Sequence, residues 1–178
     1  MTGRRELLLG CGNSRARLLG VDGFQGWSGL VTLDHDPLCH PDVMHDLEQL
    51  PLPFDDESFD EIHAYEVLEH VGAQGDFRFF LDQFSDFYRI LRPNGVVCGS
   101  CPAAGSVWVW GDPGHKRTIQ PESLVFLSQE EYTKQVGVTA MSDYRHWYNA
   151  DFQPTFSHVQ DARFFFGLRA VKPSRISI

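Results

Sequence analysis

The sequence lacks any long hydrophobic run. No stretch of its 178 residues approaches the roughly 20 consecutive apolar residues that a membrane-spanning helix requires. The segment before Gly10 contains only three consecutive leucines, too short an apolar stretch for a secretory signal. We therefore expect a cytoplasmic protein that makes no membrane contact.

Positive charge is also scarce. The chain has 15 lysines and arginines against 24 aspartates and glutamates, which gives a formal net charge of −9. A field of this sign repels phosphate backbones, so we do not expect binding to bulk nucleic acid. A small molecule, a saccharide or a protein is the more compatible partner, and no pattern indicates an oligomeric state.

Cysteine is too sparse for a disulfide framework of the secreted type. The four cysteines are Cys11, Cys39, Cys98 and Cys101. Cys98 and Cys101 have the spacing of a redox or half-zinc motif, but a zinc site would need a second such pair. The histidines of the 35–45 region stand among acidic residues, yet two prolines interrupt their spacing. We expect no metal site.

Apolar runs alternate with glycine and proline turns, as is typical of βα units. This alternation predicts five strands, at 6–9, 30–33, 43–45, 61–65 and 96–101. A short helix is predicted at 15–19. The stretch from 38 to 43 is too short for a regular crossover helix.

The clearest helix is predicted over 75–91, where large apolar side chains recur with helical spacing. A second helix is predicted over 121–135, because proline is well tolerated in a first turn. Two late runs, 143–148 and 163–171, are expected to pair as an antiparallel hairpin at one sheet edge.

Together these elements predict one α/β domain over residues 1–178, with a doubly wound, Rossmann-like and mostly parallel sheet. Residues 1–102 would form the ligand-binding core. Residues 103–178 would add two parts: a segment beside the molecule that the ligand reacts with, and the terminal hairpin.

A glycine turn and an acidic residue carry the first functional signal. Gly10 and Gly12 follow the first strand directly, and Asp34 closes the next strand 22 positions after Gly12. In nucleotide-binding α/β folds, a carboxylate at about this spacing receives ribose hydroxyls. The third glycine of a dinucleotide site is missing. The pattern therefore favours an adenosine-containing ligand without a pyrophosphate.

Six blocks in order resemble the class I S-adenosylmethionine-dependent methyltransferases, specifically the type 11-like branch. They are Leu7–Asn13, Leu33–Asp36, His45–Phe54, Ser58–Ile62, Val67–Val71 and Arg89–Gly95. The resemblance covers residues 6–102, and Asp112–Thr118 is similar to a segment of some members. It implies an enzyme that uses S-adenosylmethionine to methylate an acceptor, which these residues do not identify.

The resemblance also implies roles for residues of the first blocks. Gly10, Cys11 and Gly12 would line the methionine part of the cofactor with backbone groups. Asp34 would accept from both ribose hydroxyls, and His35 would stand beside it in the cofactor site.

Two later strand ends complete the implied cofactor site. Asp46 would accept from the adenine amino group, and the Leu47 backbone N–H would meet the ring. Tyr65 and Glu66, at the end of the fourth strand, would border the sulfonium and the acceptor pocket.

The segment after residue 102 supplies the candidate acceptor side. His115 is the candidate general base or acceptor contact, since loops at strand carboxyl ends carry function in this architecture. Trp108, Trp110 and Lys116 are the other acceptor-side candidates. The two tryptophans equally suit an edge strand that packs one ring inward.

Three departures from the family pattern support an alternative. Leu8 stands where an acid is usual, Ser14 replaces a common third glycine, and little sequence precedes the first strand. The alternative is a catalytically silent methyltransferase-like module that binds or regulates a partner.

Overall fold

The structure, a computed structural model, describes residues 3–176. Its seven strands are β1 Glu6–Leu9, β2 Leu30–Asp34, β3 Val43–Met44, β4 Phe59–Tyr65, β5 Leu91–Pro102, β6 Phe152–Gln160 and β7 Arg163–Ala170. They form one sheet in the order β3-β2-β1-β4-β5-β7-β6. The first five strands pair in parallel, and β7 is antiparallel to both β5 and β6. The expected single-domain, Rossmann-like α/β sheet with a C-terminal antiparallel hairpin is confirmed.

Four helices connect the strands among residues 3–176. They are α1 Phe77–Ile90, α2 Trp108–Gly111, α3 Pro121–Leu124 and α4 Gln129–Gln135, with 3-10 turns at Pro37–Cys39, Leu68–His70 and Val125–Leu127. Among residues 3–176, no helix has the length and apolar composition needed to cross a membrane.

Helix α1 forms where its apolar spacing predicts. The Asp76 carboxylate accepts a hydrogen bond from the Phe79 N–H at 3.1 Å and caps the first turn. Leu81, Phe84, Phe87 and Ile90 are buried on one face of the helix and belong to the main hydrophobic core. This packing fixes α1 against one face of the sheet.

The two faces of the sheet differ in chemistry because strand side chains alternate. Leu7, Leu9 and Ile62 point into the main core. Glu61 and His63 alternate with Ile62 and are also fully buried, so they lie on the opposite face. Residues 11–29, which we call the cover segment, supply contacts on that second face.

The cover segment contains no helix at 15–19, so that prediction is wrong. A helix would pair the Arg15 carbonyl with the Leu19 N–H. Here the Arg15 carbonyl accepts from Trp27 Nε1 at 2.7 Å, and the Leu19 N–H donates to the Tyr65 hydroxyl at 3.1 Å. Both groups are therefore committed to distant partners.

A buried ionic cluster joins the cover segment to the sheet. Arg17 Nη2 lies 2.5 Å from Glu61 Oε2, and Arg4 contacts the same carboxylate. His63 Nε2 lies 2.6 Å from Glu61 Oε2. Burial, reinforced by Arg17, lowers the pKa of His63 to about 3. Arg4 and Arg17 contact both Glu6 and Glu61, so two cations already face two carboxylates and His63 stays neutral.

The C-terminal third departs from prediction in two places. The helix expected over 121–135 is broken at Ser128, which is extended and whose hydroxyl accepts from the Glu131 N–H at 3.3 Å. The strand expected over 143–148 is absent, because the N–H groups of Trp147 and Tyr148 both donate locally to the Tyr144 carbonyl at 2.8 Å. β6 lies at Phe152–Gln160 instead.

Candidate functional site

The turn after β1 requires glycine at Gly10 for two reasons. Its φ of 55° lies in the left-handed region that side chains disfavour. A Cβ added there would also stand 2.2 Å from Val67 Cγ2. At Gly12, whose φ is 48°, an added Cβ would meet no described atom within 4 Å. The turn therefore packs against Val67 at Gly10 and is open at Gly12.

Asp34 is tied to this turn. Asp34 is 8% exposed, and its Oδ2 accepts a hydrogen bond from the Gly12 N–H at 2.8 Å. Its Oδ1 accepts from the Asp36 N–H at 3.0 Å. Each carboxylate oxygen can accept a further hydrogen bond, so the side chain is oriented and still able to receive a ligand.

A cleft of about 490 Å³ opens at the carboxyl ends of the parallel strands. Its lining residues are Gly10, Asp34, His35, Asp46, Leu47, Glu48, Val67, His70, Val71 and Lys116. This volume lies within the range of about 300 to 1,000 Å³ that is usual for small-molecule sites. Six residues predicted from the sequence, namely Gly10, Asp34, His35, Asp46, Leu47 and Lys116, meet in it.

The carboxylates of Asp34 and Asp46 share the cleft because β2 and β3 are parallel neighbours. The His45 N–H donates to the Asp34 carbonyl at 2.9 Å, which fixes the end of β3 beside the end of β2. Asp46 follows directly, and its Oδ1 accepts from the Glu48 N–H at 2.9 Å. Asp46 is thereby held in a tight turn on the wall of the cleft.

Lys116 closes the cleft from the opposite side. Its Nζ lies 2.6 Å from Glu48 Oε1, and its backbone N–H donates to the Glu69 carbonyl at 2.8 Å. Hydrogen bonding to Lys116 lowers the pKa of Glu48, and the Gly72 N–H adds to the effect. The 112–117 segment is therefore anchored at the cleft.

Residues 7–99 match the protein family described as a methyltransferase domain. The match extends over more than half of the chain. The chain belongs to this methyltransferase family.

A relative from Mycolicibacterium smegmatis is named a probable S-adenosylmethionine-dependent methyltransferase, and the two sequences are 31% identical over 139 residues. The alignment covers 74% of this methyltransferase domain but 49% of the relative. The chain thus spans about half the length of the curated relative that it matches.

Solved structures show the same fold. A SAM-dependent methyltransferase from Archaeoglobus fulgidus superposes with a TM-score of 0.57 at 14% identity, covering 93% of this chain and 86% of that one. The N-methyltransferase NodS from Bradyrhizobium japonicum, in complex with S-adenosyl-L-homocysteine, gives a TM-score of 0.54 at 13% identity, covering 94% and 78%. At these identities the likeness shows the fold alone.

Four predicted cofactor residues lie outside the lining of the cleft. Gly12 contributes through its hydrogen bond to Asp34, and Cys11 is buried beneath the turn, where burial raises the pKa of its thiol. The Tyr65 hydroxyl points to the other face of the sheet and binds the Leu19 N–H. The Tyr65 side chain therefore does not line the cleft, although the resemblance implies that Tyr65 borders the sulfonium and the acceptor pocket. Glu66 accepts from Ser100 Oγ at 2.8 Å.

The two candidate acceptor-side tryptophans lie on the surface of the methyltransferase domain. Trp108 and Trp110 belong to the single-turn helix α2, so the edge-strand interpretation is wrong. Their exposed fractions are 62% and 63%, and neither lines the cleft.

His115 lies behind the cleft, next to His70 and Glu69. The His115 side chain is 7% exposed, and its ring meets the His70 ring edge to face at 4.6 Å between centroids. Glu69 is 2% exposed, and burial raises its pKa to about 8. The sequence analysis did not predict that Glu69 and His70 lie next to His115. Both residues belong to the Val67–Val71 block that carries the family resemblance.

Proposed function

We propose that this methyltransferase domain transfers a methyl group from S-adenosylmethionine to an acceptor. One observation supports the proposal above the others. Asp34 is oriented by the open glycine turn and faces the same cleft as Asp46. A bare turn, a ribose acceptor and an adenine acceptor are what this cosubstrate requires, and the cleft has room for it.

The chemistry is an in-line displacement. S-adenosylmethionine supplies a methyl group on a sulfonium, and the protein holds an acceptor lone pair about 3 to 3.5 Å from that methyl carbon. Asp34 and Asp46 would fix the ribose and the base, while the backbone of Gly10 and Gly12 would admit the methionine part. The protein's main contribution is then positioning.

We place the acceptor on the side formed by residues 103–178, with 1–102 as the cofactor-binding core. Lys116 lines the cleft, and His115 lies behind it and is the candidate base or acceptor contact. Trp108 and Trp110 could contact a larger acceptor by their exposed rings. The net charge of −9 favours a small molecule, saccharide or protein over a nucleic acid. A cytoplasmic location remains a prediction.

Thermal unfolding with S-adenosylhomocysteine tests cofactor binding directly. A ligand that binds the folded state raises the melting temperature, by an amount that grows with ligand concentration. We expect such a shift for the wild-type chain and no shift with NAD. An unchanged melting temperature at millimolar S-adenosylhomocysteine would support the silent-module alternative, which the helix-free cover segment also favours.

His115→Ala tests the acceptor side. We expect turnover to fall more than affinity for S-adenosylhomocysteine, because His115 does not line the cofactor cleft. Radiolabelled methyl transfer and calorimetric titration give the two quantities. An equal loss of both would indicate a structural histidine.

A further inference from the structure

Glu69, His70 and His115 form a cluster of metal-ligating groups. Each residue offers one donor atom, and these atoms lie within 4.8 Å of one another. Glu69 and His70 come from the 3-10 turn after β4, and His115 comes from the segment after α2. Two histidines and a carboxylate are a ligand set typical of catalytic zinc and related divalent ions.

Both imidazole rings are oriented as ligands usually are. His115 Nδ1 lies 3.0 Å from the Val109 carbonyl oxygen, and His70 Nδ1 lies 3.1 Å from that of Gly114. A carbonyl oxygen can only accept, so Nδ1 carries the proton in each ring. In its neutral form, each ring therefore presents Nε2 as a lone pair, and the backbone carbonyl fixes its tautomer and orientation.

The Glu69 carboxylate lacks a partner. Both of its oxygens are buried without a hydrogen bond among residues 3–176, and the residue is 2% exposed. The nearby Arg117 makes no hydrogen bond to it: Arg117 Nε donates to the Leu68 carbonyl at 2.7 Å, and Nη2 donates to Gln83 Oε1 at 2.5 Å. Arg117 Nη1 is also buried without a hydrogen-bond partner among residues 3–176. A buried carboxylate without hydrogen bonds is costly, so this one calls for a cation or a proton.

We propose that Glu69, His70 and His115 bind a divalent transition-metal ion of the zinc class. Tetrahedral ligands about 2.1 Å from zinc stand roughly 3.4 Å apart, so the side chains must close on the ion by about an ångström. Asp112 Oδ2 lies 4.0 Å from His115 Nε2, outside the three-residue cluster.

This site goes beyond the proposed methyl transfer and differs from the histidines of the 35–45 region. Because His70 also lines the cleft, the ion would stand at the cleft's edge. A His115 that binds the ion through Nε2 cannot also serve as a free base. Metal binding can be measured without methyl transfer, so the two proposals can fail separately.

Calorimetric titration of the EDTA-treated protein with zinc chloride tests the site. We expect one equivalent to bind with a dissociation constant of about a micromolar or lower. Glu69→Gln and His115→Gln should each weaken binding at least about 100-fold, more than loss of a supporting hydrogen bond usually does. Cobalt(II) should give visible absorption bands in the wild type that E69Q lacks.

Matched variants separate this site from adventitious binding. His158→Gln removes an exposed histidine on β6, and His40→Gln removes one from the 35–45 region; both should bind zinc as the wild type does. E69Q should fold like the wild type without metal, because glutamine has the size and shape of glutamate and is uncharged when buried. If H115Q does not fold, His70→Gln replaces it.

Three results would overturn the proposal. The first is a dissociation constant for zinc above about 100 micromolar, which is far weaker than structural zinc sites. The second is equal zinc affinity in E69Q and the wild type. The third is a loss of zinc affinity that occurs in H40Q alone. Affinity for S-adenosylhomocysteine, measured on the same samples, reports independently whether the cofactor cleft is intact.

Discussion

Asp34→Ala is the sharpest test of the cofactor cleft. The substitution removes an acceptor that should receive both ribose hydroxyls, and hydrogen bonds to a charged group contribute about 1.5 to 3 kcal/mol. We expect the dissociation constant of S-adenosylhomocysteine to rise about 10- to 150-fold, since 1.4 kcal/mol is a factor of ten. The substitution also frees the N–H groups of Gly12 and Asp36. Gly12 and Asp36 are both partly exposed, so water can replace the lost partner and the fold should survive.

Asp36→Asn is the matched control. It removes the same charge two residues away, outside the lining of the cleft. Calorimetry should show wild-type affinity for D36N and the predicted loss for D34A, with both circular dichroism spectra unchanged. A dissociation constant for D34A within twofold of the wild-type value, in a folded protein, would refute the assignment of Asp34.

Further predictions concern the turn and the buried histidine. Gly10→Ala should destabilise the fold, because its Cβ would stand 2.2 Å from Val67, and adding Val67→Ala should recover part of the loss in urea unfolding. Gly12→Ala should fold at a cost of about 1 kcal/mol for its positive φ and still lose S-adenosylhomocysteine affinity; unimpaired binding would contradict the open turn. The pKa of His63 is lowered to about 3, so the unfolded chain takes up the proton first as pH falls below about 6.5. From pH 8 to pH 5, the wild type should therefore lose about 2 kcal/mol more unfolding free energy than His63→Gln. The control variant His158→Gln should behave as the wild type. If the unfolding free energies of H63Q and the wild type change with pH in parallel, His63 is charged when folded.

The parallel half of the fold could be predicted from short-range signals. β1, β2, β4 and α1 lie within two residues of their predicted bounds. β1 and β2 are mainly apolar runs that end at a glycine or a polar cluster, and α1 has an apolar stripe with an aspartate cap. These features depend on neighbours in sequence, which a pattern can read.

The errors arose where distant contacts decide the backbone. Arg15 and Leu19 do not form helical hydrogen bonds with each other. The Arg15 carbonyl instead bonds to Trp27, and the Leu19 N–H bonds to Tyr65 of β4. β6 carries little apolar alternation, since most of its residues are exposed at the sheet edge and it contains Pro154. The aromatic run at 143–148 looks more strand-like, but it forms a turn from which Tyr144 stacks on Phe77 of α1 and Tyr148 is buried.

The site was predictable only where strand ends meet. Asp34 and Asp46 follow neighbouring parallel strands, so topology alone brings them to one edge. Tyr65 shares its sheet face with His63, and no pattern in the sequence indicates which face that is. The burial of Glu69 is a tertiary property, and the pairing of His70 with His115 spans 45 positions.

The cover segment links the reverse face of the sheet to the glycine turn beside the cleft. Between residues 13 and 28 it is attached to the sheet by side chains, including the Arg17 contact with Glu61 and the bond from the Leu19 amide to Tyr65. Segments held in this way open locally at lower free energy than paired strands. Gly12 lies at its start, so each opening loosens the partner of Asp34. Amide exchange at Leu19, on the reverse face of the sheet, should therefore slow when the cleft is filled.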